Sequence, residues 1–317
     1  ARSEAAHQCG ISAWCGLTCR WGHAGIDCFC CPCLSRNNHN KSAQIVASMF
    51  SSNSIKDYVL KHQLDSLVGM QTHENQDGAF DTVNPKMTDP YKPNWDDLVR
   101  LHRLIRERKV TTILEFGCGY STIVMAHALK MNEAEHGEFV RSKLRRSNSF
   151  ELHSVDDLKQ YVEITRSRIP RELIEHVHLS VSSVAMTTFN GRICTEYESL
   201  PNICPDFIYL DAPSQHSPIG NVNGISTAHP DRLPMSADIL KFEHFLLPGT
   251  YIIVDGRTAN ARFLKANLQN NWSYNHDAKS DIHTFELRTP PLGELNQIQI
   301  EYCLGKEWIS KVDQEIK

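Results

Sequence analysis

Short apolar runs alternate with amphipathic stretches along most of this chain. Val110–Phe116 is β-branched and apolar, bounded by charge on one side and glycine on the other, as a buried parallel strand reads. Phe150–Val155, His176–Val181, Asp206–Leu210 and Tyr251–Val254 predict four further strands. Between them lie helical patterns: Ile123–Leu129 after the first strand, Leu158–Ile169 after the second, Met235–Leu247 before the fifth and Thr258–Asn270 after it. Trp95–Arg108, with Leu98, Leu101, Leu104 and Ile105 on one face, predicts a helix ahead of the first strand. Strand followed by helix, repeated, is the grammar of a doubly wound α/β sheet.

Other stretches depart from that grammar. Thr187–Glu198 carries Asn190-Gly191 between alternating residues, a hairpin signal. Asn271–Asp277 and Asp281–Leu287 predict a closing antiparallel pair, and the alternation of Gln297–Cys303 suggests an edge strand. Upstream, Ser42–Met70 has apolar residues at near-helical spacing, with Ser51–Ser54 as an expected break, and Gln71–Lys92 reads as a loop. Asn132–Ser149 is polar and holds Arg141, Lys143, Arg145 and Arg146. It reads as a solvated insertion, the other reading being a basic patch for an anionic substrate or RNA.

Composition narrows the class. At 317 residues the chain has room for one large domain with extensions. A net charge of −4 argues against a general electrostatic grip on nucleic acid. No apolar run reaches the length of a membrane span, and the amino-terminal end lacks a signal-peptide pattern, so a cytoplasmic location is expected. Seven of the 11 cysteines fall at Cys9, Cys15, Cys19, Cys28, Cys30, Cys31 and Cys33. They lack paired C-x2-C knuckles, which leaves a disordered leader, a metal site and a disulfide or lipid-modified segment as alternatives. The expected organisation is a Cys-rich leader over 1–41, a helical extension and loop over 42–94, a main domain over 95–305 and a tail over 306–317.

The chemistry concentrates at strand ends. Glu115, Gly117, Cys118 and Gly119 follow the first strand, and Ser121 or Thr122 can cap the next helix. A dinucleotide fingerprint fails because Thr122 stands where its third glycine belongs, and a P-loop fails for want of a lysine after Gly119. In a doubly wound sheet an acid closing the second strand sits beside the first glycine turn and can accept both hydroxyls of a ribose. Asp156 is the candidate for that role, and Asp157 can cap the following helix. Asp211 closes the fourth strand, and the long loop 214–234 after it, with His216, is a candidate acceptor wall.

Acid-x-Gly-x-Gly at Glu115–Gly119 resembles motif I of the class I S-adenosylmethionine (SAM)-dependent methyltransferases. The run Phe245–Asp255, FLLPGTYIIVD, resembles their segment around the fifth strand. Glu115, Asp156, Asp211 and Asp255 close successive strands in the order that resemblance requires. It implies a mostly parallel seven-stranded sheet and SAM as cofactor. In that reading Glu115 faces the methionine part and Gly117 and Gly119 abut the ribose. Phe116, Cys118, Ser121, Asp157 and Ser183 complete the cofactor contacts, Ser183 standing where adenine usually meets an acid.

The resemblance further implies O-methylation of a small-molecule or sugar-like acceptor, with Asp211 and His216 as catalytic candidates. Asp211-Ala212-Pro213-Ser214 lacks the second proline and the aromatic of base N-methylating enzymes. Asp211 and Asp255 are also candidate ligands of a divalent metal in the manner of catechol-type enzymes. Gly256 leaves that set incomplete, so no metal is expected. The competing reading is a catalytically silent member of the fold that binds a partner.

Overall fold

The computed structural model describes residues 52–69 and 94–315. The cysteine cluster, residues 42–51 of the predicted extension and the Gln71–Lys92 loop lie outside them. Helices α1 (Ser52–His62) and α2 (Leu64–Val68) are followed by α3 (Trp95–Glu107), β1 (Thr112–Phe116), α4 (Tyr120–Lys143), β2 (Glu151–Asp156) and α5 (Lys159–Arg168). After a 3-10 turn come β3 (Val177–Val181), β4 (Val184–Phe189), β5 (Arg192–Tyr197) and β6 (Phe207–Leu210). The remainder is α6 (Asp238–Phe242), β7 (Tyr251–Asp255), α7 (Thr258–Asn267), β8 (Trp272–Asp277), β9 (Ile282–Leu287), α8 (Glu294–Leu304) and α9 (Lys306–Glu315).

Seven strands form one sheet in the order β3-β2-β1-β6-β7-β9-β8, and only β9 runs against its neighbours. The chain starts at β1, winds outward through β2 and β3, then returns to β6 on the other side of β1. Strand order therefore reverses between β1 and β6, the point at which such sheets carry their ligand crevice, outside the carboxyl ends of the strands. The doubly wound, mostly parallel seven-stranded sheet expected from the sequence is what forms.

The central strands send alternate side chains into two apolar layers. Leu114, Phe116, Ile208, Leu210, Ile252 and Val254 enter one, against Ile239, Leu240, Ala261 and Leu264 of α6 and α7. Ile113, Phe207, Tyr209 and Ile253 enter the other, against Leu101, Ile105, Met125 and Leu129 of α3 and α4. Burial on both faces explains why these strands read as continuous apolar runs rather than as alternation. Helices α1 and α2 pack through Ile55, Val59, Leu64 and Val68 onto Trp95, Leu98 and Val124. The extension thus shares one apolar cluster with the main domain.

Several sequence expectations are corrected. The polar stretch from Asn132 continues α4 as far as Lys143. Asn132 is fully buried, and its amide donates to the carbonyls of Ile105 and Val110. Arg146 is not part of a solvated patch: its side chain is 3 % exposed and lies 2.9 Å from Asp206. Its Nε donates to Thr111 Oγ1 and Nη1 to the Cys204 carbonyl, while Asp206 also accepts the Thr111 and Thr112 backbone amides. This cluster ties the loop after α4 to the amino ends of β1 and β6.

The predicted edge strand at Gln297–Cys303 is helical. Its alternating Ile298, Ile300, Tyr302 and Leu304 form two i,i+4 pairs on different faces, one packed on Val140 and Phe150 and the other on Trp308. The Met235–Leu247 helix shrinks to Asp238–Phe242, because Met235 and Ala237 bond to Thr195 of β5 instead. The break placed at Ser51–Ser54 occurs at Gln63, which adopts a left-handed backbone at φ 54°. Asn190 and Gly191, both at positive φ, turn the β4–β5 hairpin as the sequence predicts.

Replacing Arg146 by alanine leaves the buried Asp206 without its cationic partner. Such a loss costs about 3–5 kcal/mol, read as a lowered urea midpoint. Arg141→Ala, whose side chain is 59 % exposed, leaves the midpoint within error.

Candidate functional site

The glycine turn after β1 faces the switch point. Gly117 adopts φ +94°, a backbone that favours glycine, and its N–H donates to the Val155 carbonyl at 2.8 Å. A Cβ there would stand 3.1 Å from Ala212 Cβ and 3.4 Å from the Asp211 backbone. At Gly119 the backbone is extended (φ 174°), and a Cβ would meet nothing within 4 Å. Gly117 is thus required by the fold. Gly119 borders open space.

Asp156 ties this turn to its surroundings. Its Oδ2 accepts the Cys118 N–H at 3.0 Å and its Oδ1 the Leu158 N–H at 2.8 Å, so Asp156, not Asp157, takes the amide at the start of α5. Burial raises its pKa, with both backbone donors pulling the other way. Asp157 reaches across the crevice instead, accepting the Ser217 hydroxyl and, at 3.4 Å, the Ser214 N–H. The start of loop 214–234 is thereby held over the mouth.

Glu115 lies deeper. It is fully buried, and its two oxygens accept the hydroxyls of Ser121 at 2.5 Å and Thr122 at 2.6 Å. Thr122 Oγ1 also accepts the Gly119 N–H at 2.9 Å, so Gly119 opens α4, Thr122 caps it from the third position as well as bracing Glu115, and Ser121 braces Glu115 alone. Burial pushes the Glu115 carboxyl up to about 8, against the opposing pull of those hydroxyls. Phe116 is core, its ring 5.7 Å from that of Tyr197. Ser183 donates to Glu198 at the base of the hairpin.

With the reversal at β1/β6, a glycine turn beneath it and acids at the tips of β1, β2, β6 and β7, one architecture accounts for the whole. The chain has the class I methyltransferase fold. No protein-family model matches the chain, and no curated protein matches it. Among solved structures it is similar to the O-methyltransferase TomG of Streptomyces achromogenes in complex with SAM, at 15 % identity and TM-score 0.36, over 80 % of this chain and 98 % of that one. An SAH-bound methyltransferase of Podospora anserina gives 13 % and 0.40, over 80 % and 97 %. An O-methyltransferase of Bacillus cereus in complex with SAH gives 14 % and 0.35, over 78 % and 97 %. The fold assignment rests on strand order and register, not on these likenesses.

Class I methyltransferase topology brings the remaining acids together. Asp211, just beyond β6, keeps 54 % of its side chain open to water yet stands within dense protein, which raises its pKa. Arg257 opposes that rise from the turn after β7: its Nε is 3.5 Å from Asp211 Oδ1, while its other nitrogens donate to the carbonyls of Asp211 and Pro213. At Asp255, burial and the charges of Asp211 and Asp97 lift the carboxyl to about 7, and Tyr209 donates to it at 2.5 Å. Asp97, from the first turn of α3, is paired with Arg100 at 2.5 Å. His216 is exposed on the loop, its N–H on Ser214 Oγ at 3.4 Å.

Sequence reading passed over Arg257, Asp97, Tyr209 and Tyr197. Asp97 reads as an ordinary first-turn acid favoured by the helix dipole, and Arg257 as a polar turn residue. Tyr197 closes the hairpin, and its hydroxyl is buried without a partner in the field of Asp157, Asp156 and Arg257. An unpaired buried hydroxyl beside Asp156 suits a polar ligand in the crevice.

Two experiments separate local strain from site function. Gly117→Ala forces a side chain into a left-handed backbone against Ala212 and lowers stability by about 1–3 kcal/mol, whereas Gly119→Ala leaves the melting temperature unchanged. Glu115 and Asp255 hold protons in the folded chain that the unfolded chain releases near pH 4. Their contribution to stability therefore falls as pH rises from about 4 toward 8. Melting temperature should drop across this window in the wild type and drop less steeply in Glu115→Gln.

Proposed function

We propose that the chain is a SAM-dependent methyltransferase that methylates a hydroxyl of a small-molecule acceptor. The observation that carries the reading is the open space beside Gly119, floored by a turn that Asp156 anchors at the point of strand reversal. Asp156 retains lone pairs for ribose hydroxyls, and Tyr197 Oη supplies a buried donor nearby. Gly119 lets the ligand approach the backbone closely. SAM, when bound, supplies an electrophilic methyl group on its sulfonium.

The chain's own residues then position the acceptor and receive its proton. Asp211 and Asp255 stand as a pair at the ends of neighbouring strands, and burial together with the charge of Asp211 lifts the Asp255 carboxyl to about 7, so it is only partly ionised near neutral pH. One ionised member is placed to take a hydroxyl proton, and Arg257 fixes the orientation of Asp211. His216, exposed on the loop, is a second candidate for contact with the acceptor. Loop 214–234, latched to Asp157 through Ser217, is the wall that excludes water.

A divalent ion at Asp211 and Asp255 fits less well. The Arg257 guanidinium already lies against Asp211, Tyr209 donates to Asp255, and Gly256 offers no side chain.

Titration calorimetry with SAM tests the cofactor, and mass spectrometry of a hydroxylated acceptor panel tests transfer. The wild type is expected to bind SAM, and Gly119→Ala to bind at least tenfold more weakly with an unchanged melting temperature. Unaltered affinity in that variant removes the proposed position; absence of SAM binding in the wild type removes the function. Once an acceptor is found, the rate should rise with pH through about 7 as Asp255 ionises, and Asp255→Asn should lose that rise.

A further inference from the structure

Two histidines and an aspartate meet where the β8–β9 hairpin closes. His276 and His283 are paired directly across the two strands, with ring centroids 3.9 Å apart. Asp281, just before β9, places Oδ1 3.5 Å from His276 Nε2 and 3.8 Å from His283 Nε2. A tetrahedral ion with metal–ligand bonds of about 2.0–2.1 Å needs its donors about 3.4 Å apart. Both distances to Asp281 are within a few tenths of an ångström of that spacing, and the three donors lie within 4.8 Å of one another.

Two of the three ligands are already held. The His283 side chain is fully buried, and its Nδ1 lies 2.9 Å from Tyr274 Oη. A metal on Nε2 takes the place of the Thr258 hydroxyl, which stands 2.9 Å from that atom, and leaves Nδ1–H to donate to Tyr274, the outer bond that fixes a ligating imidazole. Asp281 adopts φ 49°, its carbonyl accepts the Gly256 N–H at 3.0 Å, and its Oδ1 accepts the Thr258 hydroxyl at 2.9 Å. His276 is 30 % exposed and stacked at 14° on His283. Its ring has to turn out of that stack for Nε2 to face the shared point, a rotation about a soft terminal torsion.

A second trio, Glu151, His153 and His178, is built differently. His178 is half exposed there and no member is fully buried, so nothing in that trio is held as His283 is.

We propose that His276, Asp281 and His283 form a site for one divalent ion of the zinc class, with water as fourth ligand. Two imidazoles and one carboxylate suit zinc, with cobalt as its spectroscopic substitute. The site is separate from the Asp211–Asp255 pair and does not depend on methyl transfer. It adjoins the turn that carries Arg257: Gly256 bonds to Asp281, and Thr258 to both Asp281 and His283. A bound ion stiffens the segment that orients Asp211.

The test uses the full chain, stripped of metal and titrated with Co2+ and then Zn2+, beside His276→Ala and Asp281→Asn. Asparagine tolerates the left-handed backbone at 281, so that variant keeps the turn. Thiolates of the amino-terminal cysteines also bind such ions, and sulfur-to-cobalt charge transfer marks them. The wild type should take up one more equivalent than either variant, the extra ion showing visible cobalt bands without a sulfur signature. Both variants should bind that last equivalent at least tenfold more weakly, and Zn2+ should raise the melting temperature of the wild type more than theirs. Equal uptake in all three chains, loss in only one variant, or a sulfur signature on the extra ion would overturn the site.

Discussion

The Asp156 carboxylate is the joint on which this site depends. It accepts one amide from the glycine turn after β1 and one from the start of α5, so a single side chain fixes two segments that are distant in sequence. Both amides are unpaired at the carboxyl ends of parallel strands, and a buried carboxylate satisfies them together. Gly117 completes the joint from the other side, since only a residue without Cβ passes the Asp211–Ala212 backbone at that φ. The space beside Gly119 is what remains once these constraints are met.

Around that joint the acids divide by depth. Glu115 is sealed in and braced by hydroxyls, Asp156 holds one amide on each oxygen, and Asp211 and Asp255 stand nearer the mouth with Arg257 and Tyr209. Desolvation raises all four, and neighbouring acids add to it: Asp211 at Glu115, Asp157 at Asp156, Asp97 and Asp156 at Asp211, and Asp211 and Asp97 at Asp255. Depth therefore separates acids that hold the fold from acids free to exchange a proton.

Much of the fold was legible because burial on both faces leaves an unmistakable trace: Ile113-Leu114, Phe207–Leu210 and Ile252–Val254 are apolar without interruption. The positions of the strand-end acids followed from the same runs. Their partners did not, because long-range pairs such as Arg146 with Asp206 or Arg257 with Asp211 leave no local pattern. Periodicity misled at Ile298–Leu304, where two helical pairs imitate a strand, and polarity misled at Asn132, a buried amide that bonds two carbonyls.

We place a nucleoside against the Gly117–Gly119 turn, and diffraction from crystals grown with S-adenosylhomocysteine checks that placement. The expected result is density beside Gly119, with ribose hydroxyls on Asp156. Density elsewhere on the molecule, or a turn closed over that space with the nucleoside excluded, would contradict it.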